Sequence, residues 1–74
     1  MRLGALVVLD EDVDELGSWV RSRTIDARYA QRARIVLLAA DGLSNRAIGE
    51  RVGMHYNQVG VWRSRYGEFG IDWA

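Results

Sequence analysis

Residues 56–65 carry the side chains best suited to chemical recognition, because amide, hydroxyl and guanidinium groups recur there at helical spacing. On a helix of about 100° per residue, small and amide side chains share one surface, and arginines border it on both edges. Such a surface suits the major groove of DNA, where its centre contacts bases and its edges contact phosphates. The predicted base-contacting residues are Tyr56, Asn57, Gly60, Val61 and Ser64. The predicted phosphate-contacting residues are Ser44, Arg46, Gln58, Arg63 and Arg65.

The individual roles follow from hydrogen-bonding geometry. Asn57 can form two hydrogen bonds with adenine, a contact worth about 1–3 kcal/mol of discrimination between bases. Val61 could contact a thymine methyl group, and Gly60 would let the backbone approach the bases. Arg46 could bind a phosphate together with backbone N–H groups at the start of its helix. The alternative interpretation is that Asn57, Gly60 and Ser64 are simply exposed to solvent, and only their place in a larger motif favours DNA.

That motif is a helix-turn-helix, which needs a small residue where its helices approach and, four residues later, a glycine in the turn. Gly49 and Gly53 have this spacing. The apolar positions that anchor the second helix and fill the angle between the two are Val59, Trp62, Ile48, Val52 and Met54. The register over residues 43–66 therefore predicts a helix-turn-helix whose second, reading helix spans about 56–65. An ordinary helical hairpin with a glycine turn is the alternative.

The elements around the motif are predicted to be helical, which gives an all-α bundle of about four helices. The first helix is expected to run from a cap at Asp10 or Asp12 to about Ser22, and the second from a cap at Thr24 or Asp26 to Asp41. The third is expected from Asn45 to Arg51, and the fourth from His55 or Tyr56 to about Tyr66. The second is apolar on more than one side, so it should be central. Gly42 should stop it in a left-handed conformation, and Ser44 should cap the third. On the fourth, the residues expected to face the core are His55, Val59, Trp62 and Tyr66.

The chain divides into an apolar N-terminal arm (1–9), the helix-turn-helix domain (10–66) and a C-terminal tail (67–74). The arm has a β-branched-rich run, which indicates an extended segment or short strand. In the tail, Phe69, Ile71 and Trp73 alternate with other residues. Two apolar ends on a small domain could cover the same core, pair with each other, or form a homodimer interface.

The net charge of zero conceals an uneven distribution. Residues 1–20 carry one Arg against five carboxylates, residues 21–65 carry nine Arg against three, and residues 66–74 add two carboxylates. A basic centre between acidic ends is typical of a surface that binds phosphate. The expected partner is therefore double-stranded DNA, with no membrane and no small-molecule substrate. The arginines of the second helix, Arg28, Arg32 and Arg34, are interpreted as a solvated face or as partners for the acidic first helix.

Several other functions are not expected from this composition. The acidic cluster of residues 10–15 has no accompanying histidine or second carboxylate cluster, and helix capping explains it, so catalysis is not predicted. With no cysteine and one histidine, disulfides and a zinc site are not expected. No segment resembles a signal peptide or a transmembrane helix. We therefore expect a non-enzymatic protein without metal or cofactor, cytoplasmic and nucleoid-associated, encoded by a bacterium or phage.

Three stretches of the sequence match a known pattern: residues 31–45, residues 48–53, and the set Val59, Trp62, Arg63, Arg65 and Tyr66. From about residue 9 to 71 the chain resembles the N-terminal homeodomain-like domain of bacterial insertion-sequence transposases related to the mariner superfamily. This resemblance implies binding to the inverted repeats at the ends of an element, with strand transfer by a separate nuclease domain. Gly49 stands where that family usually has Ala, His55 where Ser or Thr is usual, and Gly60 and Val61 where polar residues are common.

Three functions remain open on these observations. The first is a DNA-binding domain derived from a transposase. The second is a free-standing regulator or excision factor of a phage or mobile element, which would act as a dimer. The third is a protein-interaction domain that kept the fold and lost DNA binding.

Overall fold

Four α-helices and a terminal 3₁₀ turn make up residues 7–73, the part of the chain that the computed structural model describes. The elements are α1 (Asp10–Arg21), α2 (Ala27–Ala40), α3 (Asn45–Val52), α4 (Tyr56–Phe69) and the turn Gly70–Trp73. The predicted all-α, four-helix class is confirmed. Most of the predicted arm, residues 1–6, lies outside the described residues, as do Ala74 and the side chains of residues 72 and 73. None of the described helices is both long and apolar enough to cross a membrane.

Local signals place the boundaries of the central helices. The Asp26 carboxylate accepts a hydrogen bond of 2.8 Å from the Arg28 N–H and so caps α2. The Ser44 hydroxyl accepts one of 3.1 Å from the Ala47 N–H and caps α3. Gly42, which follows the C-cap residue Asp41 of α2, has a φ of 93°, a left-handed conformation that favours glycine. These three predictions are confirmed.

The outer helices depart from the predicted boundaries. Leu9 precedes α1 as its N-cap without a side-chain hydrogen bond, so the prediction that Asp10 or Asp12 caps this helix is wrong. Both carboxylates lie inside its first turn, where the helix dipole still favours negative charge. At the other end, α4 continues through Gly67 to Phe69 and does not stop near residue 66. A glycine costs helix propensity without ending the helix, and the chain leaves α4 only at Gly70, where φ is 64°.

Two clusters of buried side chains form the core, and α2 contributes to both, as its two apolar sides predicted. The first cluster joins α1, α2 and α4 through Leu16, Ala33, Val36 and Tyr66. The second joins α2, α3 and α4 through Ile35, Ala39, Ile48 and Val59. Trp62 packs against both clusters, so a single indole ring connects the two halves of the core.

The described parts of the two apolar ends partly cover this core. Val8 and Ile71 both pack against the first cluster, which fits the expectation that the ends cover the same core. Val7, Leu9 and Phe69 remain exposed. The described parts of both ends therefore pack on the same core cluster and leave some apolar surface in solvent.

Candidate nucleic-acid interface

The turn between α3 and α4 closes on Gly49. Its carbonyl oxygen accepts hydrogen bonds from the N–H groups of Gly53, at 2.8 Å, and Met54, at 2.9 Å. A Cβ atom at Gly49 would overlap the Met54 carbonyl oxygen and lie 3.5 Å from the Tyr56 nitrogen. Gly53 has a φ of 73°, as the turn requires. The predicted need for a small residue at the close approach is confirmed, and this contact fixes the direction in which α4 leaves α3.

The inward side of α4 agrees with the helical wheel except at its first position. Val59 is fully buried, Tyr66 is 5% exposed and Trp62 is half-buried. His55, also expected to face the core, is exposed and serves as the N-cap of α4. Its Nδ1 accepts a hydrogen bond of 3.1 Å from the Asn57 N–H. Because the N-cap residue turns its side chain back onto the helix end, His55 performs here the task that Ser or Thr usually performs.

The outward side of α4 carries most of the predicted contact residues. The exposed residues among them are Tyr56, Asn57, Gln58, Val61, Ser64 and Arg65. Asn57, Val61 and Ser64 follow one another at steps of four and three residues, so they form a single line along the helix, here called the outward line. Glu68 extends this line by one more turn and is exposed. A carboxylate there would repel phosphates, so the surface suited to DNA ends at the third turn of α4.

Gly60 and Arg63 lie closer to α3 than the wheel predicted. A Cβ on the half-buried Gly60 would lie 3.3 Å from Nδ2 of Asn45, the first residue of α3. The guanidinium of Arg63, also half-buried, donates to Oδ1 of Asn45 at 2.8 Å and to the Leu43 carbonyl at 3.4 Å. This side chain therefore ties α4 to the start of α3. Sequence reasoning missed Asn45, for which the only signal is its place directly after the cap Ser44.

Arg46 and Tyr56, predicted to contact phosphate and base respectively, lie side by side. The guanidinium carbon of Arg46 is 5.1 Å from the centre of the Tyr56 ring. The His55 ring stacks on the same tyrosine, with centroids 4.3 Å apart. The starts of α3 and α4 thus meet in a small exposed group that combines a cation with two planar rings. Such groups present both charge and a stacking surface to a partner.

Trp62 holds two arginines at the other edge of α4. The guanidinium carbon of Arg32, from α2, lies 4.0 Å from the centre of the Trp62 ring, and that of Arg65 lies 5.3 Å from it. Arg32 also lies 5.4 Å from the centre of the Tyr29 ring. The interpretation of Arg32 as part of a solvated face is wrong, because its side chain is half-buried against aromatic rings. Two positive charges are therefore concentrated around Trp62.

Arg28 likewise has a nearer partner than the acidic first helix. Its Nη2 lies 3.1 Å from Oδ2 of Asp26, and both side chains are exposed. Hydrogen bonds from the side chain and backbone of Arg28 hold the pKa of the Asp26 carboxyl below its usual value. This pair reinforces the cap of α2. It leaves the acidic residues of α1 unpaired with Arg28, contrary to one interpretation of the sequence.

Comparison with known families agrees with this geometry. Residues 26–72, more than half of the chain, match the family described as a homeodomain-like domain. The match covers α2, α3 and α4 and includes every predicted contact residue. No curated protein and no solved structure matches the chain.

Proposed function

Since the chain belongs to the homeodomain-like family of helix-turn-helix domains, which implies DNA binding, we propose that it reads double-stranded DNA with the first three turns of α4 in the major groove. The observation that carries this proposal is the outward line of Asn57, Val61 and Ser64, which is exposed to solvent on a helix that also carries arginines. A helix with this distribution can bring its centre to base edges while cations meet the phosphates on both sides.

Within this arrangement the outward residues divide into two groups. Asn57 reads adenine, Val61 contacts a thymine methyl group, and Ser64 and Tyr56 contact neighbouring bases. The residues proposed to contact phosphate are Arg65, Gln58, Arg46, Ser44 and Arg63. Gly60 brings the α4 backbone close to the bases. For Arg63 and Gly60 the contacts with Asn45 add a second task, which is to hold α4 at a fixed angle to α3.

The test begins with the affinity of the purified domain for random duplex DNA, measured by fluorescence anisotropy at several salt concentrations. Affinity that falls as salt rises supports DNA binding through phosphate contacts. Undetectable binding at low salt would instead favour a protein-interaction domain and contradict the proposal. Selection from a random DNA pool then gives the preferred site.

Two variants separate base contacts from phosphate contacts on that site. Asn57→Ala should relax the preference at one base pair, with about 1–3 kcal/mol of discrimination lost. Arg65→Ala should weaken binding to all sequences by a similar factor. Equal losses for Asn57→Ala on every sequence would show that this amide does not read a base. Ser18→Ala, on the exposed side of α1, is a control that should change neither property.

The origin that the sequence favours is a transposase. The resemblance over residues 9–71 supports a transposase-derived domain that recognises the ends of a mobile element in a bacterium or phage. Sites selected from random DNA should then match inverted repeats that flank such an element. A selected site with no relation to repeats would contradict this origin and leave DNA binding intact.

A dimeric regulator is the second candidate, because exposed apolar residues cluster where α1 and α4 meet. Leu9, the N-cap of α1, and Val13 lie one turn apart, and Phe69 ends α4. Asp12 and Tyr66 are hydrogen-bonded, which places these two helix ends next to each other. A second copy covering this surface would let two reading helices contact half-sites about one helical turn apart. Sedimentation decides between them: a stable dimer supports the regulator, and a monomer supports the transposase domain.

A further inference from the structure

A cleft of about 420 Å³ lies between the first half of α2 and the end of α3. Arg28 and Arg34 line it from α2, and Arg51 lines it from α3. We name it the arginine cleft after these three residues. No carboxylate side chain lines it. Arg28 is paired with Asp26, so the net positive charge of the cleft comes from Arg34 and Arg51. The interpretation of the α2 arginines as a solvated face did not predict this cleft.

The walls of the arginine cleft are held in place. Nε2 of Gln31 donates a hydrogen bond of 2.8 Å to the carbonyl oxygen of Val52, which joins the middle of α2 to the last residue of α3. Arg28 is oriented by two hydrogen bonds to the Asp26 carboxylate, 3.1 and 3.2 Å long. Among the side chains of residues 7–71, neither Arg34 nor Arg51 forms an ion pair. The cleft therefore offers two uncompensated guanidinium groups on a fixed frame.

The arginine cleft also lies close to the start of the reading helix. Val52 lines it, and α4 begins four residues later at Tyr56. Four residues span at most about 14 Å even when extended. The major groove is about 12 Å wide, so a helix within it has backbone phosphates at comparable distances on either side.

From this placement we propose that the arginine cleft binds a phosphate of the DNA backbone at the edge of the groove that α4 enters. The inference rests on the proposed function, because it assumes that α4 meets DNA. Guanidinium groups bind phosphate oxygens through paired, charge-assisted hydrogen bonds, which suits Arg34 and Arg51. The contact adds affinity and orientation without sequence preference.

The experiment measures the salt dependence of DNA affinity for Arg34→Gln and Arg51→Gln. The slope of log K against log salt is negative, and each lost phosphate contact should reduce its magnitude by about 0.9. The ratio of wild-type to variant affinity should therefore fall about 3.5-fold between 50 and 200 mM salt. Arg21→Gln is the matched control, because it removes one exposed arginine at the end of α1 and should keep the wild-type slope. Circular dichroism verifies that all variants are folded.

The outcomes separate this inference from the proposed function. If the wild-type protein shows no salt-dependent binding, the proposed function fails first. The inference alone is overturned if the wild type binds, Arg65→Gln reduces the magnitude of the slope, and both cleft variants keep the wild-type slope. A last arm titrates inorganic phosphate without DNA while following the Gln31 side-chain amide by NMR. Binding of phosphate in the cleft together with unchanged slopes for DNA would make it a site for free anions, and would also overturn the inference.

Discussion

Replacing Tyr66 with Phe removes a buried hydrogen bond between α4 and α1. The Tyr66 hydroxyl donates to the Asp12 carboxylate, and the two residues are only 5% and 9% exposed. A hydrogen bond to a charged group contributes about 1.5–3 kcal/mol, and its loss leaves the carboxylate buried without this donor. A core of this size supplies about 3–5 kcal/mol, so Tyr66→Phe should remove about a third of the stability or more. Urea unfolding followed by far-UV circular dichroism measures the loss.

A double-mutant cycle isolates this hydrogen bond from other effects. Asp12→Ala removes the buried carboxylate, so Tyr66→Phe should cost much less in the Asp12→Ala background than in the wild type. Tyr29→Phe is the matched control, since Tyr29 is half-buried without a hydroxyl hydrogen bond in the described structure, and it should change stability by less than about 0.5 kcal/mol. Additive costs for Tyr66→Phe and Asp12→Ala would refute the reasoning.

The hydrogen bond between Tyr66 and Asp12 also predicts how the free energy of unfolding changes with pH in the alkaline range. Burial, followed by the hydrogen bond to Asp12 and its charge, raises the pKa of Tyr66 to about 12. In the unfolded chain a tyrosine titrates near pH 10, so the folded state retains the proton over this interval. The stabilisation is complete below about pH 10 and is lost as the pH rises towards 12, with a total on the order of 2–3 kcal/mol. All ten basic side chains are arginines, so no lysine titrates in the same range. An equal decline in wild type and Tyr66→Phe would contradict this assignment.

Three further predictions concern single residues. Gly49→Ala should lower the melting temperature because the added Cβ would overlap the turn, even though Ala is a better helix former by about 1 kcal/mol. Gly67→Ala is the control: Gly67 has open space around it, so this substitution should raise the melting temperature. Trp62→Ala should cost about 3–5 kcal/mol, since the ring packs against both core clusters, and an unchanged melting temperature would contradict that position. Glu68→Gln should strengthen binding to every duplex, most at low salt, and unchanged affinity would place this carboxylate away from the phosphates.

Features set by neighbouring residues could be predicted from the sequence. The left-handed glycines at 42 and 53 and the cap Ser44 depend on a few adjacent residues, and all three occur as predicted. The outward line could be predicted too, because helical periodicity alone decides which side chains share a face. Helical periodicity gave the wrong face for His55, because this residue is the N-cap of α4 and its side chain turns back onto the helix end.

Features set by distant residues could not be predicted. Asp12 has the sequence context of a helix cap, yet its partner Tyr66 is 54 positions away. Arg63 was placed at the edge of the groove by periodicity, but the angle between α3 and α4 brings it to Asn45. The angle between the two helices depends on tertiary packing, which the sequence of either helix alone does not determine. The arginine cleft could not be predicted for the same reason, because its residues come from two helices.

The residues that fix α4 are different from those that it presents to solvent. Gly49, Asn45, Arg63 and Trp62 set its position. Among the described residues, the side chains of Asn57 and Ser64 form no hydrogen bond, and Val61 is exposed. Substitutions on such exposed positions usually change stability by less than about 0.5 kcal/mol. A new target preference can therefore evolve, or be engineered, through three positions without compensating changes elsewhere. Libraries randomised at 57, 61 and 64 should consist largely of folded proteins that differ in the DNA they select.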